Sequence, residues 1–127
     1  MDKLLLVFVG GGIGSVARYL LNVNATKALG ASWPYGTFAA NVFGGVAMGF
    51  LVGWLAHRGG ADQERWRVLI GVGVLGGFTT FSTFSMESAL MIERRDYGQA
   101  AGYILASMIF AIGGVFLGLL AARRIFA

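Results

Sequence analysis

Four apolar runs, residues 4–22, 35–56, 67–92 and 98–122, take up most of this 127-residue chain. Each is near or above the ~20 residues that a helix needs to cross a bilayer. Backbone N–H and C=O groups have no water to bond in hydrocarbon, so a chain with such runs satisfies them internally, as helices. The rest of the composition agrees, because 57% hydrophobic and 13% charged residues cannot furnish a water-facing surface of ordinary charge density. The sequence therefore predicts an all-α membrane protein, one four-helix transmembrane domain over residues 1–127. The first run follows Asp2 and Lys3 directly, as in a signal peptide, but no small-residue cleavage site with a polar stretch behind it follows, so it is expected to remain a span.

The flanks of the runs suit this reading. Trp33 precedes the second span, Trp54 closes it and Trp66 opens the third, with Tyr35 and Tyr97 beside other boundaries, and such rings favour the headgroup region. The net charge of +4 sits on residues that flank spans, which points to lipid headgroups and away from nucleic acid. No cysteine is present, which excludes disulfides and thiolate metal sites, and the lone His57 reads as a solvated residue at the end of the second span. Lys3, Arg58, Arg65, Arg67, Arg123 and Arg124 fall on one side of the membrane; Lys27, Arg94 and Arg95, with Arg18 if it reaches the surface, fall on the other. That bias is modest for the positive-inside rule and permits insertion in both orientations.

Glycines four apart mark every span: Gly10 and Gly14; Gly45, Gly49 and Gly53; Gly73 and Gly77; Gly98 and Gly102; Gly114 and Gly118. Bare helix faces let backbones approach closely, which is what drives association in lipid, so packing is the expected job of these pairs. Gly71, Gly73 and Gly76 in GVGVLG match a dinucleotide fingerprint, but one that requires a strand and a soluble βαβ unit; within an apolar run it is a decoy. Four helices enclose little, so a water-filled path through so small a unit would run along an interface between subunits.

Polar groups inside the spans are few and patterned. Thr37, Asn41, Gly45, Gly49 and Gly53 recur every four residues along the second span, joining a hydroxyl and a carboxamide to three bare positions. Asn41 is either a recognition group or interhelical glue. Tyr103 and Ser107 stand four apart in the fourth span, and Ala111 occupies the place where a third hydroxyl would continue the line. Arg18 lies near the end of the first apolar run, where it can snorkel to the interface or carry a structural charge. Glu87 is deeper; a carboxylate there faces a cavity or a partner, and Arg18 is one candidate partner.

The stretch GGFTTFSTFS, Gly76 to Ser85, carries a phenylalanine at every third position with hydroxyls between them. Hydroxyls can hide in a membrane helix by bonding the preceding turn. Their density here, directly after Gly76 and Gly77, predicts instead a break in the third helix near the midplane, with hydroxyls satisfying freed backbone groups. No ring of aspartates is available for cations. The inventory is mostly neutral donors, and phenylalanine edges are electropositive, so the lining suits weak, serial contacts with a small anion.

Together, GGIGSVARY in the first span, PYGTFAANVFGG at the head of the second and GGFTTFSTFSME in the third resemble the Fluc family of bacterial fluoride channels over nearly the whole chain. The resemblance implies an antiparallel, dual-topology homodimer in the bacterial inner membrane, with two pores that export cytoplasmic fluoride passively and without enzyme chemistry. It implies that Asn41, Phe81 and Phe84 line the fluoride path and that a structural sodium ion at the dimer centre is held by backbone carbonyls of Gly76 and Thr79. It further implies a polar track of Thr37, Ser82 or Thr83, Tyr103 and Ser107, with Glu87 as a further pore-facing group; Ala111 departs from a longer hydroxyl track. A small multidrug exporter is disfavoured because the first span carries Arg18 and no acid. A subunit that only packs, and a proton-coupled fluoride transporter using Glu87, are the remaining alternatives.

Overall fold

A computed structural model describes residues 2–58 and 60–126. The chain forms α1 (Asp2–Leu29), α2 (Tyr35–Arg58), α3 (Gln63–Trp66), a π-helical segment (Arg67–Leu75), α4 (Gly76–Phe78), α5 (Phe81–Glu93) and α6 (Tyr97–Phe126), with a 3₁₀ turn at Gly60–Asp62. No strand occurs among the described residues. Four helical stretches, Asp2–Leu29, Tyr35–Arg58, Gly60–Glu93 and Tyr97–Phe126, are long and apolar enough to span a membrane. Large apolar side chains are exposed on the outside, among them Phe8, Phe43 and Ile109, as expected of helices whose outer face meets lipid.

α1 outlasts the apolar run that predicts it. Nothing between residues 22 and 29 breaks a helix, so it continues through Asn22, Asn24 and Lys27 until Gly30, at φ +89°, donates its N–H to Thr26 O at 2.9 Å and turns the chain. Arg18 is consequently well inside a helix rather than at its end. Pro34, with no N–H to lose, opens α2, and its carbonyl accepts the Phe38 N–H at 3.1 Å. The α5–α6 link is three residues. Arg95 adopts φ 61°, the Arg95 N–H donates to Ile92 O and the Asp96 N–H to Met91 O, both at 2.9 Å, forming a Schellman closure without the usual glycine.

The helices associate as two close pairs. α1 lies on the third span, where a Cβ on Gly10 would stand 2.5 Å from Leu69 O and one on Gly77 2.5 Å from Gly11 O; one on Gly14 would collide with Val74 O. α2 lies on α6, where a Cβ on Gly45 would stand 2.6 Å from Ala111 O, and Gly49 and Gly118 leave no room against Val115 O and Val46 O. The expected packing role of the glycines thus holds for four of the five groups. Gly98 and Gly102 differ, since a Cβ there meets nothing within 4 Å. Leu51, Leu55 and Leu75 form one buried cluster; Met91, Ala100 and Tyr103 form the other, with Trp33, Phe38 and Phe84 packed on it. Trp33, expected at the headgroups, puts its ring edge-on to Tyr103 at 5.2 Å and so also covers this second core.

Candidate functional site: a groove beside the broken third span

The break expected after Gly76 and Gly77 occurs at Thr79 (φ −86°, ψ 157°) and Thr80 (φ −151°, ψ 119°), two residues in extended conformation between α4 and α5. The hydroxyls explain why threonine stands here. Thr79 Oγ1 donates to Leu75 O at 3.0 Å, a carbonyl that also accepts the Thr79 N–H at 3.0 Å, and so closes the end of α4. Thr80 Oγ1 caps α5 by accepting the Thr83 N–H at 3.2 Å, and it lies 3.3 Å from Ser82 Oγ. Thr80 Oγ1 also donates to Thr83 Oγ1 at 3.2 Å. Ser82 and Thr83 are therefore tied to the cap, apart from the groove described next.

Asn41 reaches the break from α2. Its Oδ1 accepts the Thr80 N–H at 2.8 Å and its Nδ2 donates to Thr80 O at 3.1 Å, so the carboxamide pairs with both polar groups of one residue as a neighbouring strand would. Only one orientation of the amide satisfies both bonds. One Nδ2 hydrogen remains uncommitted. Of the two alternatives for Asn41, the bonds are those of interhelical glue: it braces the break, and it also lines an open groove.

That groove, with a volume of about 540 Å³, runs between α2, the break and α6 and is lined by Asn41, Gly45, Phe81, Phe84, Ser107 and Ala111 among others. The Phe81 and Phe84 rings are 5.6 Å apart, and Phe81 is 79% exposed, aimed away from its own core. Ser107 is 6% exposed, and its Oγ is the one buried side-chain polar atom without a partner among the described residues. A buried hydroxyl left unbonded is costly, and this one belongs to a residue of the groove wall. Ala111 lines the same groove, while its carbonyl lies against the bare face of Gly45.

Thr37, Glu87 and Tyr103 form a second cluster. Thr37 Oγ1 donates to Glu87 Oε2 at 3.1 Å and the Tyr103 hydroxyl to Glu87 Oε1 at 2.9 Å, with Thr37 and Tyr103 both buried. Tyr103 connects the clusters, because its ring centroid is 5.2 Å from that of Phe84. On the far side Glu87 borders a polar cavity of about 230 Å³ shared with Asn22, Thr26 and Arg94. Arg18 is elsewhere. Its Nη1 donates to Thr79 O at 3.2 Å, so Arg18, one candidate partner for Glu87, bonds to the break instead. The only ion pair among the described residues joins Arg67 to Glu64.

A family profile described as "CrcB-like protein, Camphor Resistance (CrcB)" matches residues 5–119. The chain belongs to the CrcB-like family. Among curated relatives, it is 65% identical to the fluoride-specific ion channel FluC of Phenylobacterium zucineum and 61% identical to that of Caulobacter vibrioides strain NA1000, each over 100% of both chains. It is also 48% identical to fluoride-specific ion channel FluC 2 of Nitrobacter hamburgensis, over 95% of this chain and 97% of that one. As a CrcB-like protein with four spanning helices, it is a multi-pass membrane protein.

Three features of this CrcB-like chain escape sequence reasoning. The π-helical stretch Arg67–Leu75 has no composition signal beyond its glycines. The bond from Arg18 to Thr79 O spans 61 residues. The orphaned Ser107 hydroxyl depends on what surrounds it; the four-residue spacing from Tyr103 was the available hint.

Proposed function

We propose that the protein is a fluoride channel of the bacterial inner membrane, through which the anion leaves the cytoplasm passively. The observation that carries the reading is the groove itself: the spare Asn41 N–H and the Phe81 and Phe84 rings line one space that contains no carboxylate, with the unpartnered Ser107 hydroxyl buried in its wall. Fluoride accepts hydrogen bonds and donates none, so donors can replace its water while aromatic edges add weak electrostatic support. Weak contacts in series allow release as well as entry. The names borne by relatives of 61% and 65% identity support the same anion. In this reading Thr37, Tyr103 and Glu87 continue the track from Phe84 toward the polar cavity, with Ser82 and Thr83 behind the cap. Passage requires no chemical step.

A second copy of the chain in antiparallel orientation completes the path. The exposed Phe81 and the open side of the groove support this, as does the weak asymmetry of basic residues across the membrane. A sodium ion at the centre of that dimer also fits the residues present. α4 ends at the break, where carbonyls lose their helical acceptance, and Gly76 is exposed. Thr79 O already accepts from Arg18, but a carbonyl has two lone pairs. Carbonyls of Gly76 and Thr79 from one chain are too few to replace a cation's hydration shell, so the second copy would supply the others. The ion's contribution would be fixed positive charge among converging carbonyls.

The test is anion efflux from liposomes loaded with fluoride or chloride, with valinomycin carrying the balancing potassium. Rapid fluoride efflux with little chloride, at a rate indifferent to an imposed pH gradient, is expected. Absence of fluoride efflux from folded protein would sink the reading, and a dependence on the pH gradient would replace it with proton-coupled transport through Glu87.

A further inference from the structure

Gly10, Gly14 and Arg18 are spaced four apart and form one line on α1. Gly10 sits on Leu69 and Gly73, Gly14 on Val74 and Phe78, and Arg18 bonds to Thr79, so the line follows the third span down to its interruption. Missing side chains at the two glycines bring the backbones together, and a long side chain at the third position reaches across where the partner helix stops. Among the described residues no carboxylate lies within ion-pair distance of Arg18. A cation inside a span without an acid needs another source of negative charge, and the carbonyl end of a helix provides one.

We propose that Arg18 is the positioning residue of the break: a permanent cation that turns the Thr79 carbonyl toward α1 and holds Thr79 out of helical conformation. The following residue is gripped from the opposite helix by Asn41, so the extended dipeptide is held from both sides. Without Arg18, Thr79 O loses that donor and the dipeptide is held on one side only, at Thr80, so that Thr79 can wind onto the end of α4. Each residue that enters a helix turns the following side chains by about 100°, which carries Phe81 and Phe84 off the groove. The link to conduction rests on the fluoride-channel reading; the clamp itself does not.

The experiment compares wild type, Arg18→Gln and Arg18→Lys by hydrogen–deuterium exchange of peptides covering residues 76–85 and 103–118, alongside fluoride efflux. Exchange reports local opening directly. Arg18→Gln should raise exchange in 76–85 roughly tenfold, leave 103–118 unchanged and lower efflux to a similar degree, with Arg18→Lys intermediate in both. Wild-type exchange in 76–85 of Arg18→Gln overturns the proposal, and a raised half-saturating fluoride concentration in that case assigns Arg18 to attracting the anion. Should Arg18→Gln not yield folded protein, Arg18→Lys decides: faster exchange confined to 76–85 supports the clamp, unchanged exchange refutes it. Exchange that responds as expected in a protein that passes no fluoride would leave the clamp standing and remove the channel.

Discussion

The α2–α6 seam and the Thr79–Thr80 break hold helices together in opposite ways. At the seam, Gly45, Gly49, Gly114 and Gly118 remove side chains so that backbone meets backbone, and no polar side chain takes part in those contacts. At the break, the backbone leaves its own helix and long or polar side chains, Asn41 and Arg18, cross to satisfy it. The seam is specified by absence and tolerates nothing larger. The break is specified by hydrogen-bonding pattern, so isosteric changes that reverse a donor should damage it most.

The largest effect belongs to the seam. Gly118→Leu forces a side chain into Val46 O and the Phe50 N–H, and overpacking of this kind costs about 3 kcal/mol or more; the expected outcome is loss of a monodisperse species in size-exclusion chromatography. Gly102→Ala, on the same helix but with nothing within 4 Å, should behave as wild type there. At the break, Asn41→Asp keeps the shape but replaces the donor to Thr80 O with an acceptor. Breaking a buried pattern of this kind costs about 1–3 kcal/mol, and fluoride efflux should fall roughly in proportion, by about ten- to a hundredfold, while the protein still elutes as folded.

Ser107→Ala sharpens the contrast, because the two readouts should separate. Deleting a buried hydroxyl that has no protein partner should leave thermal stability unchanged or higher by up to about 1 kcal/mol, while slowing efflux several-fold. Equal efflux would mean that Ser107 does not touch the anion. The smallest effect lies outside both regions: Arg95→Gly relieves a left-handed non-glycine residue and should raise stability by about 1 kcal/mol in a thermal melt with efflux unchanged.

Much of the seam was legible in the sequence, because spacing alone places Gly45, Gly49 and Gly53 on one stripe. The existence of the break was legible from GGFTTFSTFS for the same local reason: glycines and hydroxyls at high density in an apolar run. Its grip was not. Asn41 and Arg18 bond to the backbone of Thr80 and Thr79, and a backbone acceptor carries no residue-type signature that a pattern could reveal. Glu87 invited a charged partner and found two hydroxyls, since burial of Thr37 and Tyr103 is a property of packing rather than of their own codes. Gly98 and Gly102 show the reverse limit, a correct spacing with no neighbour in this chain.

The three-residue Schellman link ties α5 to α6, while the glycine contacts fasten the first half of the third span to α1. Mechanically, the third span is thus not one beam but two, each bolted to a different pillar. Any relative displacement of those pillars must pass through the φ and ψ of Thr79 and Thr80, since the stretches on either side are helical. The pair is a joint pinned on both sides, by Arg18 and by Asn41, and Phe81 is the first lever arm beyond it.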